Sequence, residues 1–149
     1  MIHKAEKSDL KEILALQYIA YQTEADLFGS RNIPPLKQTL DEVMEEYDRG
    51  MVLKMTDESG SIIGSVRAWE KDGTVYIGKL MVHPECRGRG YGTKLLAEIE
   101  SFFPQKRYEL FTSTRSTDNI RLYQKLGYRT FAHEKINDEL EFVYMEKLK

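Results

Sequence analysis

The feature that most constrains this chain is a glycine-rich stretch, Arg-Gly-Arg-Gly-Tyr-Gly, at residues 87–92. It follows the apolar run Ile77–Val82 and precedes the run Thr93–Ile99, whose apolar residues recur at helical spacing. Glycines allow positive φ and a close approach of backbone N–H groups, and a helix N-terminus adds unpaired donors and a partial positive charge. The pattern therefore predicts a strand–loop–helix unit that binds an anion, with a pyrophosphate as the expected ligand.

Two common nucleotide-binding loops do not fit this stretch. No Gly-Lys-Ser/Thr stands here, so the Walker pattern is absent. A dinucleotide-binding loop needs GxGxxG in an N-terminal βαβ unit. In this chain Gly88, Gly90 and Gly92 are spaced by two and lie past the middle of the sequence. The pyrophosphate therefore belongs to another class of ligand.

The pattern Arg87-x-x-Gly90-x-Gly92 after Val82-His83-Pro84 resembles the acetyl-CoA loop of the GNAT family of N-acetyltransferases. A second stretch, residues 119–128, is similar to the family's later helix and to the turn that ends it. The resemblance covers roughly Met1 to Tyr144. It implies an acetyl-CoA-dependent enzyme in which a primary amine attacks the thioester directly in a ternary complex, without a covalent enzyme intermediate.

Periodicity along the chain predicts one domain over residues 1–149 with the order β-α-α-β-β-β-α-β-α-β-β. This is an α/β fold with a mixed, mostly antiparallel sheet flanked by helices, and the resemblance implies the same. The family fold also implies that the fourth and fifth strands splay apart around the thioester arm. Locally, Ser8 is predicted as the N-cap of a first helix that ends around Gly29, Thr39-x-x-Glu42 as a capping box, and residues 28–36 as a loop.

The resemblance also assigns roles to individual residues. Tyr123 would donate a proton to the leaving thiolate, since a phenol with a pKa near 10 stays protonated at neutral pH. The alternative for Tyr123 is a core residue on the same helix face as Ile120 and Leu126. Asn119 would bind the cofactor arm or, alternatively, only begin the helix. The cofactor-binding set is Leu80, Met81, Val82, Arg87, Gly88, Arg89, Gly90, Tyr91, Gly92, Thr93 and Asn119.

The base that deprotonates the amine is not identified by the sequence. Tyr76 and Glu70 are the nearest equivalents of a strand glutamate used by some family members, and a water chain is the alternative. Glu24 and Asp26 are candidates to meet a cationic substrate or else are solvated surface carboxylates. The acidic cluster at residues 41, 42, 45 and 46 is interpreted as the solvent-exposed face of the second helix.

Composition limits the remaining possibilities. A formal net charge of −2 argues against general nucleic-acid binding, and no apolar stretch approaches the ~18 residues of a membrane span. A signal-peptide pattern is missing, so a cytoplasmic location is expected. The single cysteine, Cys86, excludes an internal disulfide and lacks a partner base, so it is interpreted as structural. No metal site is predicted.

The predicted partner is an amine acceptor, either a small molecule or a protein. A non-catalytic acyl-CoA-binding sensor is the alternative function. A homodimer is common among such folds, and the oligomeric state is left open.

Overall fold

A computed structural model describes residues 1–104 and 106–148. In chain order, the elements are β1 (Ile2–Lys4), α1 (Leu10–Ala20), α2 (Gln22–Phe28), α3 (Pro34–Lys37), α4 (Leu40–Arg49), β2 (Met51–Thr56), β3 (Ile62–Lys71), β4 (Thr74–Val82), α5 (Tyr91–Ser101), β5 (Arg107–Ser113), α6 (Thr117–Lys125), β6 (Arg129–Lys135) and β7 (Glu141–Lys147). Short 3-10 turns lie at Lys7–Asp9 and Pro84–Cys86.

The described strands form one sheet of seven in the order β1-β2-β3-β4-β5-β7-β6. All neighbours are antiparallel except β4 and β5, which run parallel because α5 connects them across one face of the sheet. The predicted mixed, mostly antiparallel sheet flanked by helices is confirmed.

The sheet is buried on both faces by different helices. Leu95, Leu96 and Ile99 of α5 pack with Val66 and Ala68 of β3 in the larger core cluster. The second cluster joins α1 and α4 to the opposite face and includes Leu10, Ile13, Val43, Val52 and Met81. Val52 and Leu53, neighbours on β2, therefore point to opposite faces of the sheet, as the pleat of a strand requires.

The helix N-termini test two capping predictions that were made from the sequence. The capping box of α4 is confirmed, because the Glu42 amide donates to the Thr39 hydroxyl (3.2 Å) and the Thr39 amide donates to the Glu42 carboxylate (2.9 Å). Ser8 does not cap a helix: it lies inside the Lys7–Asp9 turn, and the Glu6 amide donates to Asp9 instead (2.7 Å). The prediction for Ser8 was wrong because a short 3-10 turn precedes α1.

The segment before β2 also contains more helix than the sequence predicted. One helix was expected up to about residue 29, but the chain is divided at Tyr21 into α1 and α2. The predicted loop at residues 28–36 ends in a short helix that starts at Pro34, where proline's fixed φ suits a first helical turn. Four helices therefore precede β2 in place of two.

Candidate active site

A gap between β4 and β5 defines the candidate site. The two strands pair only from Thr74 opposite Arg107 to Tyr76 opposite Glu109. Both strands continue well beyond that point, β4 to Val82 and β5 to Ser113. The β5-facing backbone groups in the second half of β4 are therefore left without a ladder partner. Unpaired strand groups of this kind are available to hydrogen-bond a ligand.

A β-bulge in β4 lies beside the gap. Pairing with β3 moves from Ser65 opposite Met81 to Arg67 opposite Gly78, so that two residues of β4 face one of β3. One of them, Lys79, has φ of 51°, a left-handed conformation that is uncommon for a residue with a side chain. Bulges re-aim side chains and end strand pairing next to functional sites.

A cavity of about 630 Å³ runs along the gap. Its wall brings together the predicted residues Leu80, Met81, Val82, Arg87, Gly88, Gly90, Tyr91, Gly92, Thr93, Asn119 and Tyr123. Arg89 is exposed and does not line it. Segments that are far apart in the sequence, β4, the glycine-rich loop and α6, thus meet around one space.

The glycine-rich loop is shaped by backbone conformation and by helix packing. Gly88 and Gly90 have φ of 79° and 78°, which a side chain would strain, although a Cβ would meet no atom within 4 Å at either position. Gly90 is the N-cap of α5. At Gly92 a Cβ would lie 3.5 Å from a Leu122 methyl, so a branched side chain would push against α6. The loop and the first residues of α5, Tyr91 to Thr93, line the cavity.

Arg87 is connected to the first helices. Its guanidinium donates to the Thr23 hydroxyl (2.8 Å) and to the Ala20 carbonyl (2.9 Å) at the end of α1. These partners lie 64 and 67 residues away in sequence, and no local signal pointed to them. This side chain, which belongs to the predicted cofactor-binding set, thus holds the loop against α1 and α2.

Tyr123 is both a core residue and a wall of the cavity. Its side chain is 7% exposed and its ring lies 6.1 Å from that of Tyr128. Burial raises its pKa well above the usual range, and the neighbouring Tyr21 and Glu24 add to this. Among the described residues, none forms a hydrogen bond with its hydroxyl. The phenol is therefore protonated and available to a ligand.

Of the two candidate carboxylates after α1, only Glu24 faces the cavity. It accepts hydrogen bonds from the Ser116 hydroxyl (2.5 Å) and the Asn119 amide (3.2 Å), which connects α2 to the start of α6. Asp26 is exposed and pairs with Arg31 at 2.8 Å. The Asn119 side chain, predicted to bind cofactor, is thus oriented by Glu24.

A second cavity of about 310 Å³ lies on the α4 side of the gap. It shares Gly78, Lys79 and Phe111 with the larger cavity, so the two spaces meet at the splayed strands. Trp69 and Tyr76 form part of its wall, with stacked rings 4.8 Å apart. This arrangement provides a separate approach to the gap from the face opposite α5.

Sequence reasoning missed a buried polar network beside the second cavity. Arg67 of β3, 5% exposed, donates to Gln17 of α1 (2.6 Å), to Gln38 (3.0 Å) and to Glu46 of α4 (2.8 Å). The interpretation of Glu46 as part of an exposed helix face was wrong, because Arg67 and Gln38 hold it inward. An arginine in the middle of an apolar strand was the available signal.

Neither a membrane span nor a metal site is found in the described residues. Over 1–104 and 106–148, no helix is long and apolar enough to cross a bilayer. The same residues contain no group of three or more His, Cys, Asp or Glu side chains that could hold a metal ion. Cys86 is a free, half-buried thiol in the wall of the larger cavity.

Comparison with known families gives one match over most of the chain. The model described as the Acetyltransferase (GNAT) family matches residues 10–128. A curated relative, the UPF0157 protein YqkA of Bacillus subtilis (strain 168), is 27% identical over 128 residues. That match covers 85% of this chain and 36% of YqkA, so the chain spans little more than a third of its relative.

Solved structures share the fold over nearly the full length. The ribosomal-protein-S18-alanine N-acetyltransferase of Escherichia coli superposes with a TM-score of 0.82 at 14% identity, over 99% of this chain and 92% of that one. The PaiA N-acetyltransferase of Thermoplasma acidophilum, in complex with coenzyme A, also gives 0.82, at 17% identity over 100% and 98%. A phosphinothricin acetyltransferase of Sinorhizobium meliloti, in complex with acetyl-CoA, gives 0.76 at 18% identity over 99% and 87%.

Proposed function

The chain belongs to the GNAT acetyltransferase family, and from that premise we propose that it is an acetyl-CoA-dependent N-acetyltransferase acting on a primary amine. The acetyl group passes by direct attack of the amine on the thioester, with both substrates bound together. One observation carries this proposal. The unpaired half of β4, the N-terminus of α5 and Tyr123 all line one cavity.

The cofactor would lie along the larger cavity. The positive-φ glycines and the first amides of α5 form a cradle for a pyrophosphate, since helix N-termini combine free donors with a favourable dipole. Backbone groups of Leu80–Val82 would bind the pantetheine arm and polarise the thioester carbonyl. Arg89, exposed and outside the cavity wall, is a candidate for the adenosine 3′-phosphate together with Lys125.

Tyr123 would act on the leaving group. Its hydroxyl has no partner among the described residues, its raised pKa keeps it protonated, and it lines the cavity. A phenol in this position can donate a hydrogen bond to the developing thiolate and pass its proton to the sulfur as the C–S bond breaks. This hydroxyl favours acetyl transfer over the alternative of a non-catalytic acyl-CoA sensor, because a sensor has no leaving thiolate to protonate.

The deciding experiment is transfer of acetyl from acetyl-CoA to a panel of primary amines. Thiol release and a mass gain of one acetyl group on the acceptor are measured together. The panel includes amino acids, small polyamines, aminoglycosides and peptides with free N-termini or lysines. Transfer to at least one acceptor, with equal amounts of thiol and acetylated product, is the expected result. Binding of acetyl-CoA without transfer to any acceptor would favour the sensor.

A further inference from the structure

A half-buried carboxylate on α4 is the part of the site that the proposed function leaves unused. Glu46 receives hydrogen bonds from Gln38 (2.8 Å) and Arg67 (2.8 Å), both at Oε1. Over residues 1–104 and 106–148, its second oxygen, Oε2, accepts no hydrogen bond. The carboxylate is therefore held by one oxygen, while the other can reach a ligand in the second cavity, whose wall includes Glu46.

The position of this carboxylate relative to the gap follows from strand register. Arg67, which holds Glu46, lies directly opposite Gly78 on β4, and residues opposite one another on neighbouring strands share a face of the sheet. A Cβ added at Gly78 would meet no atom within 4 Å, so this face of β4 is open there. Gly78 also borders the larger cavity. Glu46 and Gly78 thus line the same cavity, and an amine bound there would have the gap beside it.

Resting on the proposed function, we infer that Glu46 binds the acceptor's amino group through Oε2 and accepts its proton before attack. The acceptor enters by the smaller cavity, from the face opposite α5, and its carbon chain lies against Trp69 and Tyr76. An ammonium group is attracted both by the carboxylate and by the aromatic faces, so the cavity selects a cationic amine with a hydrophobic or aromatic neighbour.

The proton and electron balance of the step closes without a further reactant. The bound ammonium gives one proton to Glu46, and the nitrogen lone pair attacks the thioester carbon to form the C–N bond. The C–S bond then breaks, and the thiolate takes a proton from Tyr123. The nitrogen's other surplus proton restores the phenol through water, and Glu46 returns its proton to solvent. Ammonium and thioester thus give amide, thiol and one released proton.

Other charged or titratable groups surround Glu46, so its contribution must be separated from theirs. They are Glu42 and Arg49 on α4, Arg67 on β3, Tyr76 and Lys79 on β4, Glu109 on β5, Tyr144 on β7, and Tyr21 after α1. Burial lowers the pKa of Lys79 and raises that of Tyr21. Lys79 is therefore the neighbour that could itself accept the proton of the amine, and a variant at Lys79 is needed to test this.

The test compares Glu46→Gln with the parent over a pH series, using the best acceptor of the panel. Glutamine keeps an oxygen for Arg67 and Gln38 but cannot take a proton. We expect kcat/KM at pH 7 to fall by about 10²-fold, the usual contribution of a positioned base. The loss should shrink near pH 9.5, where a growing fraction of the free amine is already neutral. The pH at which kcat/KM of the variant rises should move to the pKa of the free amine.

Three further variants control the comparison. Glu45→Gln removes an exposed charge from the same helix and should leave the pH profile unchanged. In Lys79→Met, kcat/KM should rise with pH at the same pH as in the parent. Glu46→Asp keeps the charge beside Arg67 but withdraws it by one methylene, so kcat/KM should fall without a shift to the amine pKa. This variant serves if Glu46→Gln does not fold, and its folding is checked by thermal melting.

The outcomes are distinguishable. A parent that acetylates an amine, with Glu46→Gln or Glu46→Asp equally active at pH 7, overturns the role of Glu46 and leaves the proposed function intact. The role of Glu46 is overturned as well if Glu46→Gln lowers kcat/KM equally at every pH. It is also overturned if the rise of kcat/KM with pH shifts in Lys79→Met. A parent that transfers acetyl to no amine overturns the proposed function and this inference together.

Discussion

Replacing Tyr123 by Phe separates its chemical role from its packing role. The ring contact with Tyr128, 6.1 Å between centroids, survives the change. The hydroxyl makes no hydrogen bond within the described residues, so its loss leaves no protein partner unpaired. Removing an unpaired, nearly buried hydroxyl costs little stability, and we expect the free energy of unfolding to change by less than about 1 kcal/mol.

The kinetic effect of the same change should be large. Loss of a general acid lowers turnover by about 10²–10⁴-fold, which corresponds to about 2.7–5.4 kcal/mol of transition-state stabilisation. Acetyl-CoA binding should be nearly unchanged, since the cradle for the pyrophosphate is untouched. The assay is steady-state thiol release with the best acceptor, alongside titration of acetyl-CoA into both proteins.

Tyr128→Phe is the matched control. This second buried tyrosine belongs to the same core cluster, but it does not line the larger cavity. Its hydroxyl donates to the buried Glu100 carboxylate (2.8 Å). Deleting it leaves a buried acceptor short of one bond, so a loss of about 1–3 kcal/mol of stability with little change in kcat is expected. Unchanged kcat in a Tyr123→Phe protein that still binds acetyl-CoA would refute the assignment of Tyr123 as the acid.

Three other predictions concern binding and stability. Acetyl-CoA should raise the melting temperature, with a stabilisation of about 2.7 kcal/mol at a hundredfold excess over Kd, and a folded protein with no shift would remove the cofactor proposal. Gly90→Val should abolish acetyl-CoA binding while the protein stays folded. Gly73→Val, at a similar φ of 83° in the β3–β4 turn, carries comparable backbone strain and should still bind, so a titration that finds equal affinity contradicts the cradle. Glu146 has a pKa lowered from 4.5, chiefly by the hydrogen bond from Arg107. The ionised Glu146 should therefore stabilise the fold at pH values above 4.5, and this stabilisation should disappear as the pH falls through the lowered pKa. The melting temperatures of Glu146→Gln and the parent should accordingly converge in acid.

Local signals in the sequence predicted most of the fold. The apolar run Ile77–Val82 lies within β4, which ends at Val82, and the run Thr93–Ile99 lies within α5. The capping box at Thr39 and Glu42 formed as expected. The predictions were wrong where contacts between residues distant in sequence determine the local structure. The helix expected up to residue 29 divides at Tyr21, next to the Ala20 carbonyl that accepts a hydrogen bond from Arg87 in a distant loop.

The site was only partly predictable, for the same reason. Residue types around the glycine-rich loop predicted where an anion would bind, because the proposed ligand groups there are backbone amides that follow from glycines and a helix start. The position of Glu46 was misjudged. Its spacing on α4 agrees with an exposed face, and only Arg67 and Gln38, from other elements, turn it inward.

What the sequence determined by itself was therefore the order of the strands and of the helices that follow β2, the strand–loop–helix unit and the later helix that carries Tyr123. These depend on periodicity, turn residues and caps, which act over a few positions. The tertiary structure decided how far β4 and β5 pair, where Arg87 is held and which carboxylate faces the gap. Each of these depends on contacts between residues tens of positions apart, and such contacts exist only once the sheet has assembled and buried polar groups have found their partners.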